Sequence, residues 1–165
     1  MESNQALELW LLRHAEAAPR SSSGRDVDRP LSERGRADCQ ALNRWLGSLQ
    51  RTLPERILVS PALRTHQTAE QVLAGLSVTE VIESPAIWEA TAGDLLNLSQ
   101  QQFQSGHPRL MLIGHNPGLE QFSRTFSGQI HPLPPAGLVA FEIDSPLRPD
   151  PDRCRLIELW RPGGG

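Results

Sequence analysis

Arg13 and His14 stand side by side where the apolar run Leu9-Trp10-Leu11-Leu12 ends. One is a guanidinium that stays charged at any ordinary pH, and the other is an imidazole able to act as a nucleophile. Two later stretches repeat this arrangement. Ile57-Leu58-Val59 runs into Ser60-Pro61-Ala62-Leu63-Arg64, and Arg109-Leu110-Met111-Leu112-Ile113 ends in Gly114-His115-Asn116-Pro117-Gly118. Arginine forks match phosphoryl oxygens two at a time, and phosphoryl transfer depends chiefly on positioning and on stabilising charge at those oxygens. Arg13, Arg64 and His115 therefore make a candidate oxyanion pocket around His14, with Asn116 as a further candidate substrate contact. In that pocket a neutral ring nitrogen of His14 would attack phosphorus, and water would hydrolyse the resulting phosphohistidine. The other ring nitrogen must be held as N–H, by a backbone carbonyl or a nearby side chain. His115 would stabilise the developing charge, either as a cation or as a hydrogen-bond donor.

Other uses of these residues compete with that reading. A metal site built from His14, His66 and His115 lacks the i, i+4 spacing of familiar zinc motifs, and the paired arginines would repel a cation. His66 lies two residues beyond Arg64 and so faces another side of its helix. His107, between Gly106 and Pro108, reads as a turn residue. No metal and no cofactor are expected. A module that binds phosphate without turnover would use the same pocket.

The elements that must position these groups follow from pattern. Short, continuously apolar segments bounded by polar residues read as strands buried on both faces of a parallel sheet, whose carboxyl ends build the ligand crevice. Ala15 to Pro30 holds Pro19, three consecutive serines, Gly24 and the charged run Arg25-Asp26-Val27-Asp28-Arg29, which makes it a surface loop. Ser32 caps a helix running to about Gln50, with Leu42, Trp45, Leu46, Leu49 and Cys39 on one face and Gly35 admitting another backbone. Ser60 as N-cap and Pro61 at the first position start a second helix, which reaches about Leu73 before Gly75. A third strand is expected over Val78 to Ile82, a helix from about Gly93 to Gln104, and a helix from Pro117 to about Phe126 beside His115. The orphan N–H groups of that last helix favour an anion. Leu138 to Ile143 and Cys154 to Trp160 suggest an antiparallel hairpin at the sheet edge. The whole is an α/β, mostly parallel arrangement.

The 165 residues suit one domain, with a core over about 7–161 and a frayed end at 162–165. Cys39 and Cys154 belong to no ligand motif and read as reduced structural thiols. A net charge of -3 with mixed signs offers no basic stripe for nucleic acid. No window approaches the ~20 apolar residues of a spanning helix, and the N-terminus lacks a leader pattern. A soluble, cytoplasmic monomer is the expectation.

Four motifs in order carry a family resemblance: Arg13-His14-Ala15, Arg29-Pro30-Leu31-Ser32 with Gly35, Ser60-Pro61-Ala62-Leu63-Arg64-Thr65 with Gln67-Thr68-Ala69, and Gly114-His115-Asn116-Pro117. Together they resemble the successive signatures of the histidine phosphatase superfamily, and the length and motif forms are most similar to its small SixA-type phosphohistidine phosphatases. The resemblance implies a phosphoglycerate-mutase-like three-layer α/β/α sandwich, with His14 as the phosphorylated nucleophile and Arg13, Arg64 and His115 around the phosphate. It also implies a substrate that is a phosphorylated protein carrying phosphohistidine, or a small phosphorylated metabolite. Two departures stand out. Ala15 replaces the usual glycine, which is tolerable unless φ must be positive. Larger relatives carry a general acid after the third strand, where this chain offers Glu89, with Glu83 and Asp94 as weaker alternatives. An imidazole leaving group needs less acid assistance than an alkoxide, so a poor acid would favour phosphohistidine over sugar phosphates.

Overall fold

The computed structural model describes residues 6–78 and 80–163. Six strands form one sheet in the order β3-β2-β4-β1-β5-β6. They are β1 (Leu7–Arg13), β2 (Arg56–Val59), β3 (Glu80–Glu83), β4 (Arg109–Gly114), β5 (Leu138–Ile143) and β6 (Cys154–Trp160). β1 to β4 pair in parallel, and β5 and β6 add an antiparallel hairpin beside β1. Four helices cover the faces: α1 (Glu33–Ser48), α2 (Leu63–Leu73), α3 (Ala92–Gln104) and α4 (Gly118–Ser127).

Alternation along the strands divides the core in two, because successive side chains point to opposite faces. Trp10, Leu12, Val59 and Ile113 pack with Leu42 and Leu46 of α1 and Val72 of α2. Leu9, Leu11, Leu58 and Leu112 pack with Leu95 of α3 and Phe122 and Phe126 of α4. The result is a three-layer α/β/α sandwich whose central strands are buried on both sides. Among the described residues no helix is long and apolar enough to cross a membrane.

Several boundaries differ from expectation. α2 starts at Leu63 with Ala62 as its N-cap, so Ser60 and Pro61 lie in the strand-to-helix turn and do not cap it. Thr65 explains the shift: its hydroxyl donates to the Ser60 carbonyl at 2.6 Å and accepts from the Ala62 N–H at 3.2 Å, taking the capping role from inside the helix. α1 ends at Ser48, two residues short of Gln50. β3 covers Glu80–Glu83, later than Val78 to Ile82; it is an exposed edge strand, and Thr79 lies outside the described residues. α4 begins at Gly118, just after Pro117. Gly164 and Gly165 are also outside the described residues.

Ser32 caps α1 as expected, accepting from Gly35 N–H at 3.0 Å. Gly35 is required for packing: a Cβ there would lie 2.1 Å from the Glu16 carbonyl oxygen. That contact draws the chain after β1 onto α1, where Ser32 N–H donates to the same oxygen at 2.9 Å.

Candidate active site

The carboxyl ends of adjacent strands β1 and β4 deliver the two histidines together. Arg13 is in register with Gly114, and His14 N–H donates to the Gly114 carbonyl at 3.0 Å. Their next residues, His14 and His115, bring ring centroids within 5.3 Å. β2 ends alongside, with Ser60 N–H donating to Ile113 O at 3.1 Å. Its buried hydroxyl lies 2.7 Å from His115 Nε2. When Ser60 donates there, the His115 proton sits on Nδ1.

His14 Nδ1 lies 2.8 Å from the Ala15 carbonyl oxygen. A carbonyl only accepts, so Nδ1 carries the proton and Nε2 keeps its lone pair. Ala15 is itself fixed by its N–H donating to Thr68 Oγ1 at 3.0 Å, and Thr68 in turn donates to Arg64 O at 2.7 Å. The non-glycine residues with positive φ among the described residues are Glu89 and Ala136, so Ala15 meets no strain in place of glycine.

Arg64, in the first turn of α2, is 6 % exposed. Its Nη1 donates to Asp26 O at 3.0 Å and its Nη2 to Asp26 Oδ2 at 3.2 Å. Trp88 covers it, with the guanidinium carbon 5.7 Å from a Trp88 ring centroid, and meets His115 edge-on at 5.3 Å. The Nε atoms of Arg13 and Arg64 are both buried without a partner among the described residues, a costly state for a charged donor. Arg13 Nη1 donates to Leu133 O at 3.0 Å.

A cavity of about 460 Å³ opens over these groups, lined by His14, Asp26, Arg64, Trp88, Glu89, His115 and Asn116 among others. His14, Arg64, His115, Glu89 and Asn116 thus share one wall system; Arg13 lies behind it. Asn116 is engaged within the fold, its Nδ2 donating to Glu120 Oε1 at 3.0 Å and to Leu133 O at 2.9 Å. Glu89 is exposed at the mouth, with φ of 52°. Asp94 caps α3 through the Thr91 N–H, and Glu83 pairs with His66 Nε2 at 2.7 Å, so neither is on the cavity wall. His66 is likewise directed away from the two central histidines. Asp26, Trp88 and Ser60 are the site residues that sequence pattern did not single out for the chemistry; Asp26 sat unrecognised in the charged run before Pro30.

The electrostatics follow from burial among cations. Burial pushes His14 down to about 4; the Ala15 carbonyl opposes this, and His115, Arg64 and Arg13 reinforce it. His115 also falls to about 4, through burial and Arg64. Both rings are therefore neutral at ordinary pH. The thiols are inert by contrast: burial raises Cys39 to about 12 and Cys154 to about 11, and both are unpaired.

Comparison with known proteins agrees with this architecture. The model of the histidine phosphatase superfamily (branch 1) matches residues 9–122. An uncharacterised chloroplastic protein of Arabidopsis thaliana is 35% identical over 129 residues, covering 73% of this chain and 59% of that protein's length. Phosphohistidine phosphatase SixA of Escherichia coli is 38% identical over 66 residues, 40% of this chain and 39% of that one. A crystal structure from Agrobacterium tumefaciens, assigned as phosphohistidine phosphatase SixA, superposes with a TM-score of 0.80 at 27% identity, covering 94% of this chain and 99% of that chain. The motifs at four places in the chain, the sandwich that gathers them and the match over residues 9–122 lead to one conclusion: this chain belongs to branch 1 of the histidine phosphatase superfamily.

Proposed function

We propose that the protein is a phosphatase that works through a phosphohistidine on His14 and acts on phosphohistidine in a protein. The observation that carries this reading is the fixed tautomer of His14: Nδ1–H is held on the Ala15 carbonyl at 2.8 Å, which leaves Nε2 unprotonated as the nucleophile. Phosphate would be received on the cavity wall by Arg64 and His115, with Arg13 adding positive charge from behind it. These groups are fixed in advance of the reaction, which is the condition for stabilising the equatorial oxygens without reorganisation. Asn116 shapes the wall, its carboxamide tying the His115 turn to Leu133 and Glu120.

A protein substrate is favoured by the open cavity, which can admit a side chain carried on another surface. The specific alternative is a small-molecule phosphomonoesterase, supported by Glu89 on the cavity wall, where it could protonate an alkoxide leaving group. Turnover of a phosphohistidine peptide against a panel of sugar phosphates separates them. Preference for the peptide supports the proposal, and turnover confined to sugar phosphates contradicts it.

A further inference from the structure

The charged side chains on the cavity wall are arranged by depth. Arg64, 6 % exposed, forms the floor, whereas Asp26, with its side chain 61% exposed, and Glu89 stand at the mouth. Asp26 is held in place. Its Oδ1 accepts from Arg29 Nε at 2.9 Å, its Oδ2 from Arg64 Nη2 at 3.2 Å, and its carbonyl from Arg64 Nη1 at 3.0 Å. Each carboxylate oxygen keeps a second lone pair. A phosphoryl group drawn to the floor thus puts whatever it is attached to against fixed negative charge.

Building on the phosphohistidine reading above, we propose that Asp26 is a specificity-determining residue: its carboxylate accepts the ring N–H of the leaving imidazole and selects phosphoryl groups carried on a protonatable nitrogen base. His14 Nε2 forms the new bond to phosphorus as the substrate's P–N bond breaks, and that bond's electron pair passes to the departing ring nitrogen. The ring's other nitrogen keeps its proton, so the substrate ring enters as a cation and leaves as neutral imidazole. A carboxylate facing that N–H favours the protonated substrate, the form with the better leaving group. Alkyl and aryl phosphates present no such donor, and a bisphosphate brings a second anion against Asp26 and Glu89.

The charge on Asp26 is secure. Slight desolvation raises its carboxyl, but Arg64 and Arg29 together hold it below the usual carboxylate range. The groups facing it are Arg29 on its own loop, Arg64 on α2 and, across the cavity, His115.

The test compares kcat/KM for a phosphohistidine peptide and for p-nitrophenyl phosphate in the wild type and in Asp26→Asn. The selectivity ratio should fall at least about tenfold, the scale of one charge-assisted hydrogen bond, and the basic limb of the peptide's kcat profile, which reports the bound ring, should move to lower pH. Parallel losses on both substrates with no movement of that limb would make Asp26 a brace for Arg64 and overturn the proposal. Should Asp26→Asn fail to fold, the wild type answers alone. The basic limb of its kcat profile, which reports the bound peptide, should lie above the ring pKa of the free peptide measured by NMR, and a limb at or below that value contradicts the proposal. A wild type that hydrolyses neither substrate, or the aryl ester alone, would sink the phosphohistidine reading and this proposal with it. A wild type that prefers the peptide, with a ratio that Asp26→Asn leaves unmoved, sinks the role of Asp26 alone.

Discussion

The Nδ1 atom of His14 lies 2.8 Å from the carbonyl oxygen of Ala15, the next residue in the chain. This contact assigns the proton to Nδ1 and the lone pair to Nε2, so the direction of attack is set by backbone alone. Removing the imidazole removes the nucleophile while leaving the carbonyl and its support from Thr68 in place. His14→Ala is expected to lower turnover by more than about 10³-fold, with a far-UV spectrum and a cooperative melt like those of the wild type. Turnover near the wild-type rate would refute the assignment.

Arg64 lines the cavity beside His14 and His115. Arg64→Gln keeps polarity but loses the charge and the fork. Inhibition by inorganic phosphate should weaken by about 10- to 100-fold, measured as a competitive constant. An unchanged constant would place the oxyanion elsewhere.

His14 and His115 each hold off protonation until about pH 4, whereas an unfolded histidine takes its proton near the ordinary value of 6.5. Between those values the unfolded chain binds more protons than the folded one, so stability must fall as pH falls through this window and level off below it. Urea unfolding at a series of pH values reads this directly. His14→Ala should flatten the slope. A wild-type stability that rises from pH 6.5 toward pH 4.5 would contradict the burial-driven shifts, as would NMR titration of His14 at its ordinary value.

Gly35 lies so close to the Glu16 carbonyl that a Cβ would approach it to 2.1 Å. Backbone on the other side cannot yield cheaply. Gly35→Ala should cost about 1–3 kcal/mol or more and lower the melting temperature. A neutral effect would show that the contact between α1 and the chain after β1 is looser than described.

Phosphoryl transfer here is assigned to side chains, with cationic charge supplied by Arg13 and Arg64. Incubation with EDTA should leave turnover unchanged. Loss of activity that returns on adding a divalent metal would revive the reading in which His14 and His115 are ligands.

The strand ends carrying Arg13-His14 and Gly114-His115 were legible in the sequence because both features that define them are local: a continuous apolar run, and an abrupt stop at glycine, proline or charge. The two-sided burial of β1 and β4 follows from the same runs, and Gly35 was legible from its place beside a cap. Asp26 was not, because its partner Arg64 is 38 residues away and nothing in the charged run distinguishes Asp26 from Asp28. Trp88 was hidden for a similar reason: it lies in an irregular segment, and its contacts with Arg64 and His115 form only once α2 and β4 are in place. The Ser-Pro pair after β2 misled by strong local preference. Ser60 would cap a helix starting at Pro61, but Thr65 occupies the cap from within the helix and frees the Ser60 hydroxyl for His115.

The central claim is that phosphorus is transferred to His14 Nε2. Rapid acid-free quenching of the protein with a ³²P-labelled phosphohistidine peptide, followed by peptide mapping, tests it directly. The account predicts label on the peptide containing His14, stable to base, lost in mild acid, and absent from His14→Ala. Label on another residue, or turnover that never labels the protein under single-turnover conditions, would contradict it.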